Sequence, residues 1–212
     1  MSKNEIVGRL RLWSGAIYET QRFVKLALRA DNAFHSRELI DANEQRIKKM
    51  HEFSKRQPDY KEGVLLDSHA EMFDRIHPEP FPSRIECSHL KESNTISAVI
   101  MFCQIYVSGY QHDGVAFNNS KAFRDKHLEA ILNEVFPINE DRKKYDDFAN
   151  TLLSARNQML GHADANSFNI KHGAIVSSLK LPSTAIKELD LHYWNDFLEP
   201  LHQAILKYSG KM

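Results

Sequence analysis

Ile6, Leu10, Trp13, Ile17, Val24 and Leu28 recur at steps of three, four and seven. Those steps place an apolar stripe along one face of an amphipathic helix. A second helix is predicted from about Ser36 to Lys55, with Leu39, Ile40, Ile47, Met50 and Phe53 facing inward and Ser36 as its N-cap. The short stretch "DNAFH" between them is read as a turn, so the two helices are expected to form an antiparallel hairpin. Pro58 opens a shorter segment, and Leu65, Leu66, Met72, Phe73 and Ile76 give a helical pattern ending at His77. Prolines at 78, 80 and 82 then forbid a helix and favour an extended connector.

From about Ser88 to Tyr110 the chain is mostly apolar and reads as a central core helix. "HDGVAFNNS" (His112 to Ser120) reads as a loop, after which Asn119 or Ser120 can cap a helix over Lys121 to Val135. Pro137 stops that helix. Asn139 then caps another, with Glu140 and Asp141 near the positive end of its dipole. Tyr145, Phe148, Leu152, Ala155 and Met159 form its inward stripe, and Gly161 ends it. Short extended pieces are expected within Asn169 to Pro182. A last helix carries Leu191, Trp194, Phe197, Leu198, Leu201, Ile205 and Leu206 inward and has Pro200 in its interior. The whole predicts an all-α bundle of about six helices. It is read as one all-α domain over 1–212, with a helical hairpin and short helix in 1–77 and a compact bundle in 88–212.

Composition supports helices. Gly (8) and Pro (7) are scarce in 212 residues, whereas all-β folds spend many such residues on turns. Lys plus Arg equals Asp plus Glu at 28 each, so there is no bulk positive field to hold duplex nucleic acid or an anionic membrane. The longest apolar stretch, Ile96 to Val107, is too short for a membrane span of roughly 20 residues. Cys87 and Cys103 are too few for a disulfide framework. The expectation is a cytoplasmic protein without a cofactor.

The chemistry concentrates in "ARNQMLGHAD", residues 155 to 164. On a continuous helix Arg156 and His162 would point about 120° apart and lie about 9 Å apart along the axis. If Gly161 breaks the helix, His162 leaves on a new path and both side chains can face one anion. A guanidinium holds phosphate oxygens bidentately, and an imidazole exchanges protons near neutrality. Asn157 can orient either group. Asp164 can fix the imidazole tautomer or cap the next element. Equally, a cationic Arg and His with a Gly are ordinary furniture for a helix C-terminus.

"RNQMLGH" resembles the signature of the HEPN superfamily: an Arg, a polar residue, a short gap and a His. It is similar to the form seen in abortive-infection and toxin-type members. The resemblance covers Ile96 to the C-terminus and leaves the N-terminal segment outside it. It implies a HEPN-like helical core and a metal-independent endoribonuclease with a composite site across a homodimer. Arg156 would then bind phosphate, His162 would be the acid/base and Asn157 would orient them, with Gly161 and Asp164 supporting. The implied partners are RNA (tRNA or mRNA), a second copy of the chain and an antitoxin protein, with no membrane. Many HEPN proteins lack nuclease activity, so a helical module that binds nucleotide, RNA or a protein partner is the alternative.

Two other groups of charged and histidine residues stand out. Arg124, Asp125 and His127 in "FRDKHL" have too short a gap for the motif and read as charges on an exposed helix face. Asp67, His69, Glu71, Asp74 and His77 invite a metal, but this group holds no Glu-x-x-His, and no His-Glu-x-x-His occurs in the chain.

Overall fold

The computed structural model of the chain describes residues 2–77, 82–106, 121–160, 186 and 189–212, and the backbone alone at 110–112, 115–117, 168–171 and 174–177. Side chains at 158–160 and the remaining residues fall outside this description. The class is all-α. Seven helices are described: α1 (Lys3–Phe34), α2 (Arg37–Ser54), α3 (Asp67–Ile76), α4 (Arg84–Phe102), α5 (Lys121–Val135), α6 (Asn139–Leu160) and α7 (Leu191–Gly210). A 3-10 turn, Cys103–Ile105, follows α4. Two short antiparallel hairpins accompany the helices. In one, β1 (Tyr110–His112) pairs with β2 (Val115–Phe117); in the other, β3 (Phe168–Lys171) pairs with β4 (Ala174–Ser177).

The first hairpin corrects the loop expected at His112 to Ser120. Only Asp113 and Gly114 separate β1 from β2, and Asp-Gly between extended segments is a strong two-residue hairpin signal. The turn expected at "DNAFH" is also shorter than read. α1 continues through Phe34, and only His35 and Ser36 remain before α2. Ser36 does cap α2, its side chain accepting from the amide of Leu39. α2 then packs on α3. α4 begins earlier than expected, at Arg84, behind a capping box. There the Ser83 amide donates to Glu86 Oε2 at 2.8 Å and the Glu86 amide to Ser83 Oγ at 3.1 Å.

The chain divides into two compact units, Met1–Ala27 with Glu92–Met212, and Leu28–Lys91. Residues up to Ala27 thus fall with the C-terminal part, although the sequence pattern grouped them with the segment ending at 77.

The larger unit is an aromatic-centred bundle. Leu10, Trp13, Ile17 and Val24 of α1 are all buried, as their spacing predicts. So are Tyr145, Leu152 and Ala155 of α6, and Trp194, Phe197, Leu198, Leu201 and Ile205 of α7, whereas Leu206 is exposed. Phe102 sits among Tyr145, Trp194 and Phe197 with ring centroids 6.5, 5.9 and 6.1 Å away. Such edge-on ring pairs each contribute about 0.5–1.5 kcal/mol beyond burial. Trp13 meets Phe123 of α5 edge-on at 5.3 Å. α7 continues through Pro200, which gives up one backbone donor inside the helix. His202 Nε2 and Ser14 Oγ, 2.9 Å apart, tie α7 to α1.

The smaller unit has little apolar core. Phe73 is buried, but Ile47, expected to face inward, is exposed, as are Met72 and Ile76 of the helical pattern. Its interior is instead partly polar, with Ser54, His69 and Ser83 buried. No described helix is long and apolar enough to cross a membrane.

Candidate functional site

α6 presents the motif, and its far end is firmly held. Near its start Arg142 donates to Glu129 Oε2 at 2.8 Å, to Asp146 at 3.1 Å and to Asn133 Oδ1 at 3.0 Å. Burial opposes the charge on Arg142, but the bonds to Glu129 and Asp146 outweigh it and hold its pKa above the ordinary value. One turn later Tyr145, fully buried, shares a 2.5 Å hydroxyl–hydroxyl bond with Tyr106. Burial raises the pKa of both phenols, so this is a neutral pair. α6 also packs on the Cys103–Ile105 turn.

The buried edge of α6 runs through Leu152 and Ala155, and the Met159 side chain expected to continue it lies outside the described residues. Arg156 follows, half-buried, and Asn157 is exposed. Arg156 Nη1 donates to Asn157 Oδ1 at 3.3 Å, so the two motif residues on the helix are in contact. Arg156 also lies close enough to Cys103 to act on it electrostatically. Burial pushes that thiol up to about 12, and the guanidinium only partly offsets the effect. Cys103 is therefore a neutral thiol at ordinary pH and packs as a small apolar group rather than serving as a nucleophile. Its nearness to Arg156 had no signature in the sequence, because it joins residues more than fifty positions apart. Gly161, His162 and Asp164 lie outside the described residues.

No family model, curated protein or solved structure matches this chain. The chemistry must therefore be read from the chain's own residues.

The "FRDKHL" segment is not simply an exposed charged face. Asp125 is exposed, but His127 is buried, 4.5 Å from the Phe123 ring and with Nδ1 3.1 Å from the Tyr208 hydroxyl. Arg124 donates to the backbone carbonyl of Tyr106, immediately after the turn on which α6 packs.

In the smaller unit, Ser54 Oγ lies 2.8 Å from His69 Nδ1, and His69 Nε2 lies 2.6 Å from Asp59 Oδ1. The carboxylate accepts the Nε2 proton, and in the neutral ring Nδ1 then accepts from the serine hydroxyl. Serine, imidazole and carboxylate stand in the order of a nucleophilic triad. Ser54 is fully buried, however, so no substrate carbonyl reaches its hydroxyl, and the relay is structural. It ties the end of α2 to α3 through the intervening turn. The bond to His69 is the main cause holding the Asp59 carboxyl below its ordinary range.

His69 is thus committed to Ser54 and Asp59, while Asp74 binds Arg46 Nη2 at 2.5 Å. Among the described residues, no three His, Cys, Asp or Glu side chains gather as a metal site would require.

Proposed function

We propose that this chain is a metal-independent endoribonuclease of the HEPN type, acting in defence, toxin–antitoxin or stress response. The observation that carries the proposal is Arg156, half-buried on the C-terminal turns of a core helix and in contact with Asn157. The all-α bundle around it supports the same assignment. Rigid anchoring of α6 through Arg142 and Tyr145 suits a group that must meet a phosphate at a fixed place.

In the proposed reaction a ribose 2′-oxygen attacks the adjacent phosphorus and the bond to the 5′-oxygen of the next nucleotide breaks. The products are a 2′,3′-cyclic phosphate and a free 5′-hydroxyl. His162 takes the 2′ proton or delivers one to the leaving oxygen. Arg156 neutralises the charge that builds on the phosphoryl oxygens. Asn157 accepts from Arg156 and restrains the guanidinium. One imidazole serves both proton transfers poorly at once, so two copies of the site facing each other in a homodimer complete the acid–base pair. The neutral net charge fits a short single-stranded target, tRNA or mRNA, held by few phosphates.

The test is cleavage of a defined single-stranded RNA in the presence of EDTA, with the product ends identified. The proposal expects cyclic-phosphate ends and a fall of roughly 10²–10⁴-fold in His162→Ala. RNA binding without turnover would favour a binding module instead.

A further inference from the structure

The smaller unit contains a cleft of about 550 Å³ between α2, the end of α3 and the start of α4. Ligand pockets commonly fall between roughly 300 and 1,000 Å³. Four cations line this one: Arg46, Lys49, Arg56 and Arg84. Glu52 is the single acid among the described lining residues.

Arg46 is already committed. It is bound to Asp74 and to the His77 carbonyl at 2.9 Å, and its guanidinium lies over the Phe73 ring at 5.3 Å. Lys49 and Arg56 are exposed and, among the described residues, have no ion-pair partner. Lys49 lies on α2, and Arg56 lies in the turn just past its end. Arg84 lies over the Phe34 ring at 4.3 Å, which fixes its guanidinium, and its Nε is buried with no hydrogen-bond partner among the described residues. A buried donor left unmade costs about 1–3 kcal/mol, so it is a place where a ligand oxygen is missed. The α4 N-terminus beside it is already closed by the Ser83–Glu86 capping box, so the side chains, not the helix end, carry the site. Phe53, half-buried and edge-on to Phe73 at 5.7 Å, supplies an apolar wall.

We propose that this cleft binds a small organic phosphate of about nucleoside-monophosphate size. Lys49, Arg56 and Arg84 would hold the phosphate oxygens, and Phe53 would pack against the organic body. Three cations that, among the described residues, form no ion pair suit a dianion better than a single carboxylate, and forked guanidinium groups match phosphate oxygens. A cleft of this volume suits a small molecule better than an extended RNA strand.

The test is calorimetric titration of the full chain with AMP and, separately, with inorganic phosphate. AMP is expected to bind, and more tightly than inorganic phosphate. Lys49→Gln/Arg56→Gln and Arg84→Gln should each weaken AMP about tenfold or more, the effect of losing one to two charge-assisted bonds. Arg156→Ala should bind AMP as the unaltered chain does, which separates this site from the proposed nuclease centre. These side chains lie at the surface or half-buried, and an unchanged melting temperature checks that the variants fold. The proposal is overturned if AMP gives no heat, or if it binds no better than inorganic phosphate. It is also overturned if the cleft variants keep full affinity, or if Arg156→Ala abolishes AMP binding.

Discussion

The two units solve the same problem with different materials. The larger unit buries rings: Phe102, Tyr145, Trp194 and Phe197 meet around one centre. The smaller unit buries Phe73 but relies on the Ser54–His69–Asp59 relay and the Arg46–Asp74 pair. Apolar burial is non-directional and roughly proportional to the area removed from water. A hydrogen-bonded relay is directional, and its strength depends on which groups are charged. The helix that carries the proposed chemistry, α6, thus rests on a mainly apolar core, while the cationic cleft lies beside a hydrogen-bonded relay and an ion pair.

The largest effect expected from breaking the comparison is in the ring cluster. Trp194→Ala should destabilise the chain by about 3–5 kcal/mol, measured by denaturant unfolding, because a large fully buried side chain leaves a cavity. A loss under about 1 kcal/mol would mean that the rings do not carry the bundle. Ser54→Ala should cost less, about 1–3 kcal/mol, because it leaves the buried His69 Nδ1 without its partner. Hydrogen exchange should place that loss in α2 and α3; a loss confined to α6 and α7 would contradict the division of labour.

The smallest effects are in pH dependence, and they separate the units by window. Burial holds His127 below its ordinary value near 6.5. The unfolded chain then binds the proton first, so stability should fall as pH drops below about 6.5, and His127→Gln should flatten that slope. Asp59 is depressed mainly by its bond to His69. Its contribution is present above the ordinary carboxyl range and is lost as pH falls through its lower folded value, so α2 and α3 should loosen only in stronger acid. Asp59→Asn should remove that acid-linked step. If exchange in α2 and α3 already rises near pH 6, the windows are wrongly assigned.

Much of the larger unit was legible because helical periodicity and burial agree there. Leu10, Trp13, Ile17 and Val24, and likewise Tyr145, Leu152 and Ala155, are where their spacing puts them. Periodicity failed for Ile47, Met72 and Ile76, because a small unit has too little interior to cover every apolar side chain of its helices. β1 and β2 were missed although Asp113-Gly114 announced a turn, because three-residue strands show almost no alternation. At the site, Arg156 and Asn157 were legible as a local motif. The electrostatic influence of Arg156 on Cys103, and Ser54 and Asp59 about His69, were not, because relations made by folding have no fixed spacing. Lys49, Arg56 and Arg84 form no motif in the sequence, and the fold alone brings them to one cleft.

The central claim is that Arg156 and His162 act together on RNA phosphate. The direct measurement is the single-turnover cleavage rate of one single-stranded RNA by the unaltered chain, Arg156→Ala, His162→Ala and the double variant, all with EDTA present. The account predicts cyclic-phosphate products, a large fall in each single variant, and a double variant hardly slower than the worse single one, because the residues work as a unit. Cleavage at full rate in both single variants, or no cleavage by the unaltered chain between pH 6 and 8, would contradict it.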